Sequence, residues 1–130
     1  MRHVAETFLE STLNRGKPLE QFIGSVSGAP VMSLRWLEVR PKEDEFQIWV
    51  HDVEDVGNES WIDIYAFPYL HGDPPDRPVA SFARAIDALA YAHSNLGASS
   101  TRWVNQLVAQ EEYGTFLLAG RPLTYAASGT

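Results

Sequence analysis

Asp63, Tyr65 and His51 are the residues whose types and spacing could support general acid–base catalysis in this chain. If the segments that hold them pair as neighbouring strands, the alternation of side chains places all three on one face. The same face would hold Trp49 and Trp61, and amphipathic rings beside carboxylates are typical of a protein-recognition surface. We therefore favour recognition over catalysis for this face.

A calcium-binding loop is the closest match to a metal motif. Asp52, Glu54, Gly57 and Asp63 fall at positions one, three, six and twelve of the helix-flanked calcium loop. Val56 occupies the fifth position, where an oxygen ligand is required, and Asp63 is shorter than the glutamate that normally closes the loop. Predicted strands, not helices, flank the segment. We expect no metal ion here.

Other catalytic signatures are missing from the sequence. There is no Cys, no Gly-x-Ser-x-Gly nucleophile motif, and no glycine-rich phosphate loop after a predicted strand. None of the histidines has a second histidine at the i+4 spacing of a helical zinc pair. They are His3, His51, His71 and His93. We therefore predict that the protein is not an enzyme and binds no cofactor.

The predicted fold is built around a strand-rich middle segment, residues 31–68. Apolar residues recur every second position in VMSLRWLEVR, FQIWVHDVE and WIDIYAFP, and Pro41 and the Gly57-Asn58 pair mark turns between them. One face of these strands is aliphatic, so helices need to cover only that face. We predict an α+β fold whose antiparallel sheet has three or four strands, with helices packed on one face.

Helices are predicted on either side of these strands. Residues 2–14 form a first helix, and residues 19–24 a single helical turn. After a proline-rich loop that crosses from the sheet, residues 82–96 form the main helix, which begins after Ser81 and ends at Gly97. Residues 100–118 are either one helix or a strand followed by a helix. We assign 1–120 to a single α+β domain and 121–130 to a flexible tail.

Length and composition are those of one cytoplasmic domain. The chain has 130 residues and no Cys, so its core must form without disulfides. No apolar run approaches the roughly 18 residues of a membrane span. Glu6 and Glu10 interrupt the N-terminal segment where a signal peptide needs an apolar stretch. We predict a cytoplasmic protein without a membrane partner.

Charge is distributed unevenly along the chain. The net charge is −7, but residues 38–76 hold 11 acids and two bases, for a local charge of −9, and the remainder is +2. Such a region repels nucleic-acid phosphates and attracts cationic proteins. We expect no direct nucleic-acid binding. The alternative is that turns between strands are simply acidic and solvated.

In these features the chain resembles the small acidic immunity proteins of bacterial contact-dependent inhibition and related polymorphic toxin systems. The resemblance covers its length, its lack of Cys, the acidic segment DEFQIWVHDVEDVGNESWIDIYAF and the later run RWVNQLVAQEEYGTF. It implies a protein that binds a cationic toxin domain, possibly a nuclease, and blocks its active cleft with carboxylates and aromatic rings. Long-range electrostatic steering would accelerate such binding.

The predicted partner-binding residues are the acids and aromatic rings of the middle segment. They are Glu43, Asp44, Glu45, Trp49, His51, Asp52, Glu54, Asp55, Glu59, Trp61, Asp63, Tyr65, Tyr69, Asp73 and Asp76.

Three other interpretations of the aromatic face remain open. A layer of helices could bury it, and Asp63 would then need a buried partner such as Arg35 or Arg102. The face could instead form a homodimer interface, because two-fold packing places identical surfaces together. A small-ligand binding protein or minor enzyme would have a pocket between the main helix and the sheet. The residues at its mouth would come from Asp63, Tyr65, His93 and Trp103.

Overall fold

The computed structural model describes residues 2–125 and has an α+β fold with a five-stranded antiparallel sheet in the order β4-β3-β2-β1-β5. The α+β class and the antiparallel sheet are confirmed. The sheet has five strands, whereas three or four were predicted. The elements are a 3-10 turn at Glu6–Phe8, α1 (Leu9–Asn14), β1 (Leu19–Ser25), β2 (Ser33–Lys42), β3 (Glu45–Glu54), a 3-10 turn at Ile64–Ala66, β4 (Ala80–Phe82), α2 (Ala85–Asn95), β5 (Val104–Asn105) and α3 (Ala109–Leu118). Within this range no helix has the length and apolar character needed to cross a bilayer.

β2 and β3 form the centre of the sheet as a hairpin of two ten-residue strands. Both were predicted from their alternating apolar residues. Leu37 and Val39 on β2 and Ile48 on β3 share one face and are fully buried. They pack with α1 and α2 in one hydrophobic core.

The opposite face of the sheet carries a second core, which differs from the prediction of helices on one face only. Leu34 and Trp36 on β2 and Phe22 on β1 pack there against Tyr113 and Phe116 of α3. The two cores exist because apolar residues of β2 point to both faces of the sheet. The adjacent residues Trp36 and Leu37, for example, are both buried.

Residues 19–24, predicted as a helical turn, belong instead to strand β1. The segment pairs with β2 from Leu19 to Ser25, with an irregularity near Gly24. Its consecutive polar residues Glu20 and Gln21 are both buried, and each makes hydrogen bonds inside the protein. The Gln21 amide both donates to and accepts from the backbone of Ser99, at 2.9 and 2.7 Å.

The third predicted strand, WIDIYAFP, is not a strand. Its backbone makes local hydrogen bonds, from Ala66 N–H to the Asp63 carbonyl and from Ile64 N–H to the Ile62 carbonyl, and it forms the 3-10 turn. Ile64 and Phe67 are buried in the second core. The exposed aromatic sheet face that the prediction required therefore does not form.

The ends of the chain also differ from the predicted elements. Residues 2–14 form only the 3-10 turn and α1, and the extended His3 pairs with Val104 beside β5. Residues 80–82 are strand β4, so α2 begins at Ala85 and not at Phe82. Residues 100–118 resolve into β5 followed by α3.

The described start of the predicted tail is docked on the protein. Arg121 binds Asp55, and Tyr125 is buried against Phe22 and Phe116. The remaining five residues of that predicted tail, 126–130, lie outside the described residues.

Candidate partner-binding surface

The tip of the β2–β3 hairpin presents three consecutive acids. Glu43 and Asp44 are the two loop residues between paired Lys42 and Glu45, and both are exposed. Glu45 is half-buried, and its carboxylate accepts a hydrogen bond of 2.8 Å from the Gln47 amide. Among the described residues, no Lys or Arg lies within ion-pair distance of these acids. Their negative charge therefore faces solvent.

An open cleft of about 590 Å³ adjoins the hairpin tip. One side consists of residues 42–45 and 47, and the other of Ser81, Phe82 and Ala83 at the end of β4. β4 is an edge strand of the sheet, three residues long. The acids thus border a concave surface at one sheet edge.

The proline-rich loop brings further acids to the same sheet edge. Its first part is attached to β3 through a hydrogen bond from Leu70 N–H to the Asp52 carbonyl, and its last part through one from Val79 N–H to the Ile48 carbonyl. Asp73 and Asp76 lie between these attachments and are exposed. Asp76 contacts Arg77 at 3.3 Å, but both side chains are 83% exposed, so this pair is weak.

We call Glu43, Asp44, Glu45, Asp73 and Asp76 the acidic edge. All five were predicted as partner-binding residues, and the structure places them along the β3–β4 side of the sheet. Like charges along one side of a protein create a negative potential that attracts a cationic surface before contact. Four of these five acids are exposed and Glu45 is half-buried, and the pair between Asp76 and Arg77 is their one ion pair to a described Lys or Arg.

Two predicted acids are instead engaged inside the protein. Asp52 accepts two hydrogen bonds from its cross-strand neighbour Arg35, at 2.7 and 3.0 Å. Asp55 binds Arg121 at 2.8 Å and accepts a hydrogen bond from the Tyr113 hydroxyl. A two-pronged guanidinium contact engages both oxygens of a carboxylate, so a partner would have to compete with these internal bonds for either acid.

The other predicted acids are spread away from the acidic edge. Glu54 lies opposite Ser33 at the end of β3, and Glu59 is exposed in a tight turn closed by paired Asn58 and Trp61. Asp63 is half-buried at the start of the second 3-10 turn. The middle segment therefore does not form one continuous acidic face.

The predicted aromatic anchors are mostly packed into the protein. Trp61 is 42% exposed with its ring against Phe67, and it remains the most accessible of them. Trp49 is half-buried, with the Arg40 guanidinium 4.2 Å from its ring centre. His51 is only 6% exposed and stacks on Trp36. His51 and the half-buried Tyr65 and Tyr69 are engaged in internal hydrogen bonds.

These internal bonds belong to a polar network on the α3 side of the sheet that the sequence did not indicate. The Glu38 carboxylate accepts hydrogen bonds from Arg40, at 2.9 and 3.1 Å, and from His51 Nε2 at 3.2 Å. In the neutral ring, His51 Nδ1 then accepts from the Tyr69 hydroxyl at 3.1 Å. Burial would raise the pKa of Glu38, but these bonds hold it below its usual value.

Glu20 is the second buried carboxyl group of this face. It accepts a hydrogen bond of 2.7 Å from the Tyr65 hydroxyl, and the Ala109 N–H at the start of α3 lies 3.4 Å away. Burial raises the pKa of Glu20, and the Tyr65 bond only partly opposes this. Opposite pKa shifts in neighbouring carboxyl groups are typical of an acid and a base. Here, however, Glu20 and Glu38 are 2% and 6% exposed and engaged by side chains, which suits a structural role.

The four residues predicted for a small-ligand pocket do not come together. Tyr65 lies on the α3 side of the sheet, whereas Trp103 belongs to the opposite core and donates a hydrogen bond of 2.9 Å to His93. Asp63 belongs to the segment with Tyr65. Within residues 2–125, no three His, Asp or Glu side chains are placed to hold a metal ion.

No protein-family model matches the chain, and no curated protein or solved structure matches it either.

Proposed function

We propose that this protein is an acidic protein-binding module that neutralises a cationic toxin domain in the manner of an immunity protein. The acidic edge would meet the basic surface of the toxin. Carboxylates at such an interface mainly accelerate encounter and select against other partners. Small acidic proteins of this kind would act in the same compartment as the toxin, which we infer to be the cytoplasm.

The hairpin tip is the observation that carries this proposal. Glu43, Asp44 and Glu45 form an acidic projection with no ion pair to Lys or Arg among the described residues. Asp52 on β3, by contrast, is paired with Arg35 on β2. The adjoining cleft, whose lining includes these three acids and Lys42, offers a concave surface that a basic side chain of a partner would enter.

The partner is identified by affinity capture from the native host followed by mass spectrometry. Its basic domain is then titrated calorimetrically with the wild-type protein at about 50 mM and about 300 mM salt, which shortens the screening length by a factor of about 2.5. We expect the affinity to fall as salt rises. A preferred partner without a basic surface, or binding that is insensitive to salt, contradicts the proposal.

A matched pair of charge variants locates the contact. The double variant Glu43→Gln/Asp44→Asn removes two exposed charges from the acidic edge, and Asp87→Asn/Glu111→Gln removes two exposed charges from α2 and α3. We expect the first to weaken toxin binding by about tenfold and the second by less than about twofold. Equal losses in both variants would show a general charge effect and would contradict a contact at the hairpin tip.

A further inference from the structure

A second concave site lies between the N-terminal helical segment and α2. This cavity has a volume of about 320 Å³, within the range of small-ligand sites. Leu9 and Leu89 are buried in its wall at 3% and 4% exposure. Ile86 also lines it and is 41% exposed. The cavity therefore offers an apolar surface to a small molecule.

The charged groups of this cavity are both carboxylates. Glu6 and Glu10 line it, and its lining residues, all of which lie in the described part of the chain, include no Lys or Arg. Neither carboxylate forms an ion pair with another described residue. Two unpaired acids beside an apolar wall favour a cationic ligand and disfavour an anionic one.

His93 contributes an oriented ring to the same cavity. The Trp103 indole N–H donates to His93 Nε2 at 2.9 Å, and an indole nitrogen can only donate. His93 Nε2 is therefore unprotonated, and the proton of the neutral ring is on Nδ1. Burial lowers the pKa of His93, although Glu6 opposes the shift. The ring is thus neutral near pH 7 and does not offset the two carboxylates.

We infer that this cavity binds a small apolar molecule that carries one primary ammonium group. The apolar part would lie against Leu9, Leu89 and Ile86, and the ammonium group would lie between Glu6 and Glu10. The site shares no residue with the acidic edge, so it represents a binding activity beyond the proposed toxin neutralisation.

Three probes of nearly equal shape separate the effect of charge from that of the apolar surface. They are 2-phenylethylamine, 2-phenylethanol and 3-phenylpropionate, titrated into the protein labelled with ¹⁵N and followed by amide chemical shifts. We expect the amine to shift the amides of residues 6–10 and 86–93 and to bind about tenfold more tightly than the alcohol, since a charged hydrogen bond contributes this much. The carboxylate probe should bind most weakly. Equal affinity for all three probes, or no shifts at these residues, overturns the inference.

Variants test whether the lining residues cause this preference. Glu6→Gln/Glu10→Gln should reduce the affinity for the amine to that for the alcohol, with the affinity for the alcohol unchanged. Ala90→Phe, which fills the cavity, should abolish binding of both probes. Asp87→Asn removes an exposed charge from α2 outside the cavity lining and should change neither affinity. Retention of the amine preference by the double Glu variant, when its circular dichroism is native, overturns the assignment.

Discussion

Glu20 on β1 lies directly opposite Glu38 on β2, and the pKa values of their carboxyl groups are shifted in opposite directions. Like charges on facing strand residues repel each other. Burial favours the neutral form of Glu20, whereas hydrogen bonds from His51 and Arg40 favour the charged form of Glu38. The fold thus places two buried carboxyl groups side by side, with the pKa of Glu20 raised and the pKa of Glu38 lowered.

Replacing Glu20 by Gln tests this arrangement through the pH dependence of stability. The folded pKa of Glu20 is raised above 4.5, so the unfolded chain loses this proton first as the pH rises. The contribution of Glu20 to stability is therefore largest below pH 4.5 and is lost as the pH rises through the folded pKa. We expect Glu20→Gln to gain stability relative to the wild type between pH 4 and pH 7, measured by urea unfolding. A stability difference that is constant over this range would contradict the raised pKa.

Glu112 on α3 should behave in the opposite way. Its carboxylate, only 1% exposed, binds Arg102 at 2.9 Å, His3 at 2.9 Å and also Arg2. Burial alone would raise the pKa of Glu112, but the bonds from His3 and Arg2 lower it. The stability it contributes is therefore present above pH 4.5 and is lost as the pH falls through the folded pKa.

The Glu112→Gln variant should lose about 3 kcal/mol of stability at pH 7, because Arg2 and Arg102 then face an uncharged amide at a buried position. The loss should shrink in acid. Glu111→Gln is the control on the same helix, since the Glu111 carboxylate is 58% exposed and lies 3.9 Å from Arg2. It should change stability by less than about 0.5 kcal/mol. Equal effects in the two variants, by chemical denaturation, would argue against the buried cluster.

The central hairpin could be predicted because its signal is local. Alternation continues through β2 and β3, so pairing within the hairpin follows from the sequence. The same register also places Arg35 opposite Asp52, so the pairing of these two charges is a local feature of the hairpin. By contrast, the Asp55–Arg121 pair joins residues 66 positions apart, and no local pattern indicates it.

β1 and the WIDIYAFP segment could not be assigned for related reasons. Two consecutive buried polar residues, Glu20 and Gln21, break the alternation of β1, and their partners Tyr65 and Ser99 are 45 and 78 positions away. WIDIYAFP alternates like a strand, but its backbone groups form hydrogen bonds within the segment. Its residues Ile64 and Phe67 are buried in the core beneath α3. Tertiary packing overrides the local preference in both segments.

Substitution of glycine by alanine should have opposite effects on stability at Gly57 and Gly114. A Cβ at Gly57 would lie 2.5 Å from the Phe67 ring, 2.6 Å from the Trp61 carbonyl oxygen and 2.7 Å from the Tyr113 hydroxyl. Gly57→Ala should therefore destabilise the protein by about 1–3 kcal/mol. A Cβ at Gly114 in α3 would meet nothing closer than 3.9 Å. Gly114→Ala should stabilise the protein by about 0.5–1 kcal/mol through helix propensity, measured by thermal unfolding. A stable Gly57→Ala variant would exclude the close approach of these three groups.

Glu43 combines backbone strain with a predicted binding role, so one substitution should move stability and binding in opposite directions. Its φ is +56°, in a two-residue hairpin turn whose first position favours glycine. Glu43→Gly relieves this strain, and we expect a stability gain of about 0.5–1 kcal/mol in urea unfolding. Because the variant also removes a charge from the acidic edge, its affinity for the basic toxin domain should fall at low salt, measured by calorimetry. Glu43→Gln removes the charge without relieving the strain, and it should weaken binding equally with no gain in stability. If Glu43→Gly bound the toxin domain as tightly as the wild type, the residue would be an ordinary turn position and the hairpin tip would lose its assigned role.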